Sequence, residues 1–169
     1  MHLKKGFTLV ELLVAATIIG VLLVFATTQY RSSAAEARWN QAKTYAGQLA
    51  NAVRQAQLDY ENVQFSDSDE MSNVESGGTC PYTPFATGPF KPSSLITCNY
   101  LENGIWNEGK FEYHVCTNTS TVTSNCKTAR ALACVFAKCN ARLPSQVKQY
   151  VYCISATGTQ ETIDASRCQ

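Results

Sequence analysis

KKGFTLVELLVAATIIGVLLVFA, residues 4–26, is the stretch whose reading decides the fold. Two lysines and a glycine precede a run in which Glu11 is the sole charged side chain before Arg31. From Leu12 to Ala26 only Thr17 and Gly20 interrupt the apolar residues. About 20 residues at roughly 1.5 Å each cover the hydrocarbon of a bilayer, so the run is long enough to cross one as a helix. A carboxylate inside such a helix costs roughly 2.5 to 3.5 kcal/mol on insertion scales and usually marks a pairing or a pathway.

Beyond the run, YRSSAAEARWNQAKTYAGQLANAVRQAQLDY continues without proline and is rich in alanine and glutamine, both good helix formers. Tyr45, Leu49, Ala52, Val53, Ala56 and Tyr60 recur at helical spacing and make one apolar stripe. The pattern predicts a single helix of about fifty residues, apolar all round in its first half and amphipathic in its second, ending near Asp59 and Asn62. Trp39 and the helix tyrosines read as packing residues.

The chain has 169 residues, enough for one domain and an appendage. A formal net charge of +1, with lysines and arginines scattered along the sequence, leaves no polyanion footprint, and nucleic acid is not indicated. The eight cysteines, Cys80, Cys98, Cys116, Cys126, Cys134, Cys139, Cys153 and Cys168, all lie in the second half. An even number beyond an apolar run predicts a disulfide framework in an oxidising compartment, with 105 possible connectivities. Lys4 and Lys5 on one side of the run face Arg31, Arg38 and Lys43 on the other, so positive charge alone leaves the orientation open. Oxidised cysteines would place the amino terminus in the cytoplasm and the bulk of the chain outside.

A positive tip followed by an apolar run also describes an ordinary secretory signal, and a secreted disulfide-rich binding domain is then the alternative. That reading needs small residues before a cut at the far end, and Ala26-Thr27-Thr28 fits poorly. Lys5-Gly6-Phe7-Thr8-Leu9-Val10-Glu11-Leu12-Leu13-Val14 instead resembles the class III signal of type IV prepilins and their pseudopilin relatives. The resemblance implies cleavage after Gly6 by a prepilin peptidase, N-methylation of Phe7, and retention of the apolar segment. It also implies other pilin subunits and an inner-membrane assembly platform with its ATPase as partners. Cleavage would create a cationic amine at Phe7, four residues from Glu11; the acid then faces its own terminus or a neighbour's. The family's pattern favours the neighbour, while a site near the headgroups, favoured by the helix dipole, is the plainer alternative.

The implied organisation is a leader over 1–6, a transmembrane and assembly half of the helix over 7–29, an amphipathic half over 30–61, and a head over 62–169. The fold class is α+β, a long amino-terminal helix packed on a small antiparallel sheet. Within the head, 62–110 reads as a connecting region pinned by disulfides, because SDSDEMSNVESGGT is polar and CPYTPFATGPFKP carries four of the five prolines and predicts no regular structure. KFEYHVC (110–116), ALACVFAKC (131–139) and QYVYCIS (149–155) carry strand signals and predict a three-stranded meander within 111–155. The resemblance favours a Cys153–Cys168 disulfide closing a terminal loop over 156–169. Where many filament-forming pilins have proline near the end of the membrane segment, this chain has Thr28. A minor pilin, or a pseudopilin of a type II secretion or DNA-uptake system, is the closest alternative.

Asp67, Asp69 and Glu70 lack the spacing and central glycine of an EF-hand. The cysteines show no paired C-x-x-C set for zinc, and Asn118-Thr119-Ser120 is an isolated sequon. No catalytic motif or cofactor fingerprint is present, and the histidines are His2 and His114 alone. The sequence therefore calls for no metal, no cofactor and no catalytic residue.

Overall fold

The computed structural model describes residues 8–60, 64–65, 70–71, 80, 89–106, 109–116, 131–164 and 168. Two compact units are present, Met1–Ala37 and Arg38–Gln169. Helix α1 runs from Leu9 to Asp59 over 51 residues, as the proline-free, alanine-rich sequence predicts. In the first unit every side chain from Thr8 to Ser33 is exposed. Its threonine hydroxyls within the helix are nevertheless satisfied locally: Thr17, Thr27 and Thr28 donate to the carbonyls of Val14, Val24 and Phe25 respectively, each three residues back. This back-bonding removes most of the cost of a hydroxyl in apolar surroundings.

In the second unit the remaining part of α1 lies against a sheet. Trp39, Ala42, Ala46, Leu49, Ala50, Ala52, Val53 and Ala56 are buried, whereas Tyr45 and Tyr60 from the expected stripe are half-buried. The alanines keep that face low, and the large anchors are each worth about 1.5–3 kcal/mol of transfer free energy. Ahead of the sheet, β1 (Gln64–Phe65) and β2 (Pro89–Phe90) form a parallel two-residue pairing. It falls where the prolines predicted no regular structure. Pro89 opens β2, a position that tolerates its missing N–H. The sheet itself comprises β3 (Phe111–Val115), β4 (Ala131–Ala137), β5 (Tyr150–Ser155) and β6 (Gly158–Ile163), antiparallel in the order β3-β4-β5-β6 among the described residues. Two short helices, α2 (Ser94–Thr97) and α3 (Ser145–Lys148), complete the described elements.

Alternation sorts the sheet into two faces. Phe111, Tyr113, Tyr150, Tyr152 and Ile154 share the face that meets α1. Trp39 packs on Phe111 and Tyr150 at centroid distances of 5.7 and 5.9 Å, and Tyr45 meets Tyr113 at 6.4 Å. Cys116, Cys134, Phe136, Val151 and Cys153 form a buried cluster on the other face, where the His114 ring stacks on Phe136 at 4.9 Å. Strands β3 to β5 are thus covered on both faces.

Two expectations are corrected. The meander has a fourth strand: β6, GTQETI, continues beyond the expected strand region into the segment assigned to a terminal loop. It carries no apolar alternation because it is a mostly exposed edge strand. The favoured Cys153–Cys168 pairing is also not formed. Cys153 stands directly opposite Cys134 in the β4–β5 ladder and is bonded to it, and Cys168 pairs with Cys139, just past the end of β4. Cys80 pairs with Cys98, and Cys116 is also disulfide-bonded; Cys126 lies outside the described residues. Closing the 19-residue separation between Cys134 and Cys153 contributes on the order of 3 kcal/mol through the unfolded chain's entropy.

One polar clasp joins β6 to α1 within this unit. Glu161 accepts from Trp39 Nε1 at 2.8 Å and from Lys43 Nζ at 2.8 Å, and the Lys43 ammonium lies 5.6 Å from the Trp39 and Tyr152 ring centroids. Burial raises the Glu161 carboxyl pKa, but the bonds from Lys43 and Trp39 together outweigh it and hold the group below the ordinary glutamate value.

Peptide mapping under non-reducing conditions should therefore yield Cys134 linked to Cys153 and Cys139 linked to Cys168; a Cys153–Cys168 peptide would contradict this arrangement. Because the folded-state pKa of Glu161 is depressed, its stabilisation is present above the unfolded value of 4.5 and disappears as pH falls through the folded value. Glu161→Gln should lower thermal stability near neutral pH by about 1 kcal/mol, a figure already reduced for solvent screening. The difference from the parent should shrink at about pH 3, and an equal loss at both pH values would show that the carboxylate's charge is not what stabilises.

Candidate functional site

The feature without a purpose inside one chain is the apolar beginning of α1. Leu9, Val10, Leu12, Leu13 and the large apolar side chains onward to Phe25 are exposed, Leu9 at 81% and Phe25 at 67%. The helix is long and apolar enough to cross a membrane by length and composition. Such a surface is stable only in lipid or against other apolar surface.

At the head of this segment sits the carboxylate. Glu11 Oε2 accepts from the Thr8 backbone N–H at 2.9 Å and from the Thr8 hydroxyl at 2.7 Å, while Thr8 Oγ1 accepts from the Glu11 N–H at 3.3 Å. The Thr8 carbonyl receives the first intrahelical bond, from Leu12 N–H at 3.3 Å. Thr8 and Glu11 are therefore the N-cap and N3 residues of a capping box, each satisfying a backbone donor that the helix start leaves open. Sequence reasoning passed over this role, although the T-x-x-E spacing of Thr8-Leu9-Val10-Glu11 before an apolar run is its signature. Both cap bonds use Oε2, and among the described residues no bond engages Oε1. Gly6 and Phe7, the expected processing residues, lie outside the described residues.

Gly20 has open space where a Cβ would stand, so nothing within the chain demands a glycine there. The helix also continues through Thr28 without a break. Glu70 forms an ion pair with Lys138 at 2.9 Å and its backbone bridges to that of His114; Asp67, Asp69 and the Asn118 sequon lie outside the described residues. Among the described residues no group of three metal-ligating side chains converges.

Comparison with known proteins adds to this geometry. Residues 1–27 match the family model described as the prokaryotic N-terminal methylation motif. The amino-terminal segment of this chain is similar to that of type IV pilins. Three related curated proteins, each the type IV major fimbrial protein FimA of Dichelobacter nodosus, are 37% identical over 57 residues, which is 34% of this chain and 36% of theirs. The chain thus spans about a third of the length of the curated pilins it matches. No solved structure matches it. The pilin likeness and the architecture agree: a long apolar helix packed, in its later part, on a small antiparallel sheet stapled by disulfides.

Replacing Thr8 with valine removes the acceptor of the Glu11 N–H and the hydroxyl donor to the Glu11 carboxylate, leaving only the Thr8 backbone N–H bond of the box, and should destabilise the first helical turn by about 1 kcal/mol. Amide hydrogen exchange of the full chain in detergent micelles checks this: Val10 to Leu13 should exchange about fivefold faster, with Val21 to Val24 unchanged. Unaltered exchange at Val10 to Leu13 would remove the cap.

Proposed function

We propose that the chain is the prepilin of a type IV pilus or related filament, a structural subunit and not an enzyme. It is processed after Gly6, N-methylated at Phe7, and polymerised through the apolar half of α1. The observation that carries this reading is the exposure of every side chain from Thr8 to Ser33 on a helix whose first turn contains one carboxylate. Transfer of that helix from lipid to water would expose on the order of 1,000 Å² of apolar surface, tens of kcal/mol at about 25 cal/mol per Å². Bundling with the same segment of other copies avoids the exposure, and a repeated contact that does not close generates an open filament.

Glu11 sets the axial position of each copy by pairing with the amine of a neighbouring Phe7. The cap supports this arrangement, since it leaves Oε1 open to a second donor while Oε2 serves the helix start. A cationic amine beside that oxygen would offset much of the cost of the carboxylate in an apolar bundle.

Before assembly the protein is a single-pass component of the cytoplasmic membrane with its amino terminus inside. Its partners are the prepilin peptidase, the inner-membrane platform with its ATPase, and other pilin subunits. After assembly it lies in an extracellular or periplasmic filament, where the disulfides are stable. The related proteins described as major fimbrial proteins favour a pilus over a pseudopilus. No cofactor or nucleic acid enters this scheme.

Mass spectrometry of the mature amino terminus tests the processing, with methylated Phe7 expected; a start near Thr28 would sink the proposal. Glu11→Val should leave cleavage and membrane insertion intact and reduce incorporation into fibres by at least about tenfold, read by immunoblot of sheared fibres against whole cells. Fibres formed normally by this variant would eliminate the pairing role.

A further inference from the structure

On the face of the sheet that turns away from α1, three cysteine sulfurs from three chain segments meet. Cys116 follows β3, Cys134 lies in β4 and Cys153 in β5, and all three are buried together with Phe136 and Val151. Strand register brings them there. His114 stands opposite Cys134, which stands opposite Cys153, and Cys116 shares the face of His114 two residues earlier. The Cys116 N–H continues the ladder by donating to the Leu132 carbonyl at 3.0 Å. Cys134 is bonded to Cys153, and Cys116 belongs to a different disulfide. Yet Cys116 Sγ lies 3.2 Å from Cys134 Sγ. A covalent sulfur–sulfur bond is about 2.05 Å long, so a shift of about 1.1 Å would turn this contact between two disulfides into a bond.

Disulfides exchange when a thiolate attacks one of their sulfurs, and the rate depends on access of the attacking sulfur as much as on its basicity. Cys134 and Cys153 are 0% and 3% exposed, and strands β3 to β5 are covered on both faces, so a dissolved thiol is poorly placed to attack their bond. Cys116 lies past the last residue of β3, at the end of the ladder. Once its own disulfide is opened, its thiolate is already beside the buried bond, and the approach that slows a bimolecular exchange has been made by the fold.

We propose that these three sulfurs form a redox-sensitive switch that exchanges the β4–β5 staple for a β3–β4 staple. A small-molecule thiol supplies the reducing equivalents. Its thiolate bonds to the partner sulfur of Cys116, that disulfide breaks, and the electron pair leaves on Cys116 Sγ. The Cys116 thiolate then attacks Cys134 Sγ: the Cys116–Cys134 bond forms, the Cys134–Cys153 bond breaks, and its electron pair leaves on Cys153 Sγ, which takes up the proton the small thiol gave up. The second step needs no further oxidant or reductant. Its product ties β3 to β4 and frees the β5–β6 hairpin, which the ladder and the Glu161 clasp to Trp39 and Lys43 then hold alone. Cleavage, methylation and polymerisation play no part, so the switch and the filament can each fail without the other.

The test is partial reduction of the full chain in detergent micelles by limiting glutathione, followed by an acid quench, maleimide labelling and non-reducing peptide mapping. Tryptic peptides separate the pairings, since 111–127 carries Cys116, 131–138 carries Cys134 and 149–167 carries Cys153. Peptide 131–138 is expected to pass from 149–167 to Cys116 of 111–127, with at least about tenfold more label on Cys153 than on Cys134. Equal label on Cys134 and Cys153 would mean direct reduction of their bond and would overturn the inference. So would label on Cys116 while 131–138 stays wholly linked to 149–167. The preference for Cys153 should vanish in denaturant, and its persistence there would show that the fold does not set it. Cys116→Ser should slow the labelling of Cys153 by about tenfold or more, and an unchanged rate counts against the switch. If that variant does not fold, the ratio of label in the parent chain decides.

Discussion

The exposed start of α1, nearly all apolar up to Ala26, sets the terms for everything else in this chain. Apolar surface on every side of a helix cannot be covered by a sheet that meets one face, so the solution must be lipid or other chains. The second half of the same helix has the opposite design. Its apolar residues occupy one face, from Trp39 through Ala56, and that face is buried against the sheet. One continuous element therefore serves two environments, and the change from apolar all round to one-sided is written in its composition.

Polar groups in the first half are managed locally. Three threonine hydroxyls bond back to helix carbonyls, and Thr8 and Glu11 close the helix start between themselves. What remains is the carboxylate's charge and, among the described residues, one oxygen without a bond. In the proposed filament that oxygen would give Glu11 a directional value: apolar contact between helices is tolerant of sliding, whereas a charge pair is not. In the head, disulfides and strands covered on both faces supply rigidity that a small core supplies poorly alone.

Much of this was legible in the residues. The length of α1 followed from the absence of proline and from the stripe at Leu49, Val53 and Ala56, and β3, β4 and β5 from their alternating or continuous apolar runs. Strand β6 was not legible, since an exposed edge strand such as GTQETI carries no burial pattern and is formed only because β5 offers a partner across a two-residue turn at Ala156 and Thr157. Cysteine pairing escaped for a similar reason: that Cys134 and Cys153 stand opposite one another is a matter of strand register, which spacing does not encode. The capping box at Thr8 and Glu11 was legible and obscured, because a lone acid in an apolar run draws attention to distant partners before near ones.

Sedimentation velocity of the purified full-length protein, followed as detergent is withdrawn, bears most directly on the central claim that the apolar half of α1 must be covered by other copies once lipid is gone. The account predicts a passage from micelle-bound monomer to large particles, with a chain beginning at Tyr30 remaining a small soluble species. A full-length chain that stays a monodisperse monomer in plain buffer would contradict it.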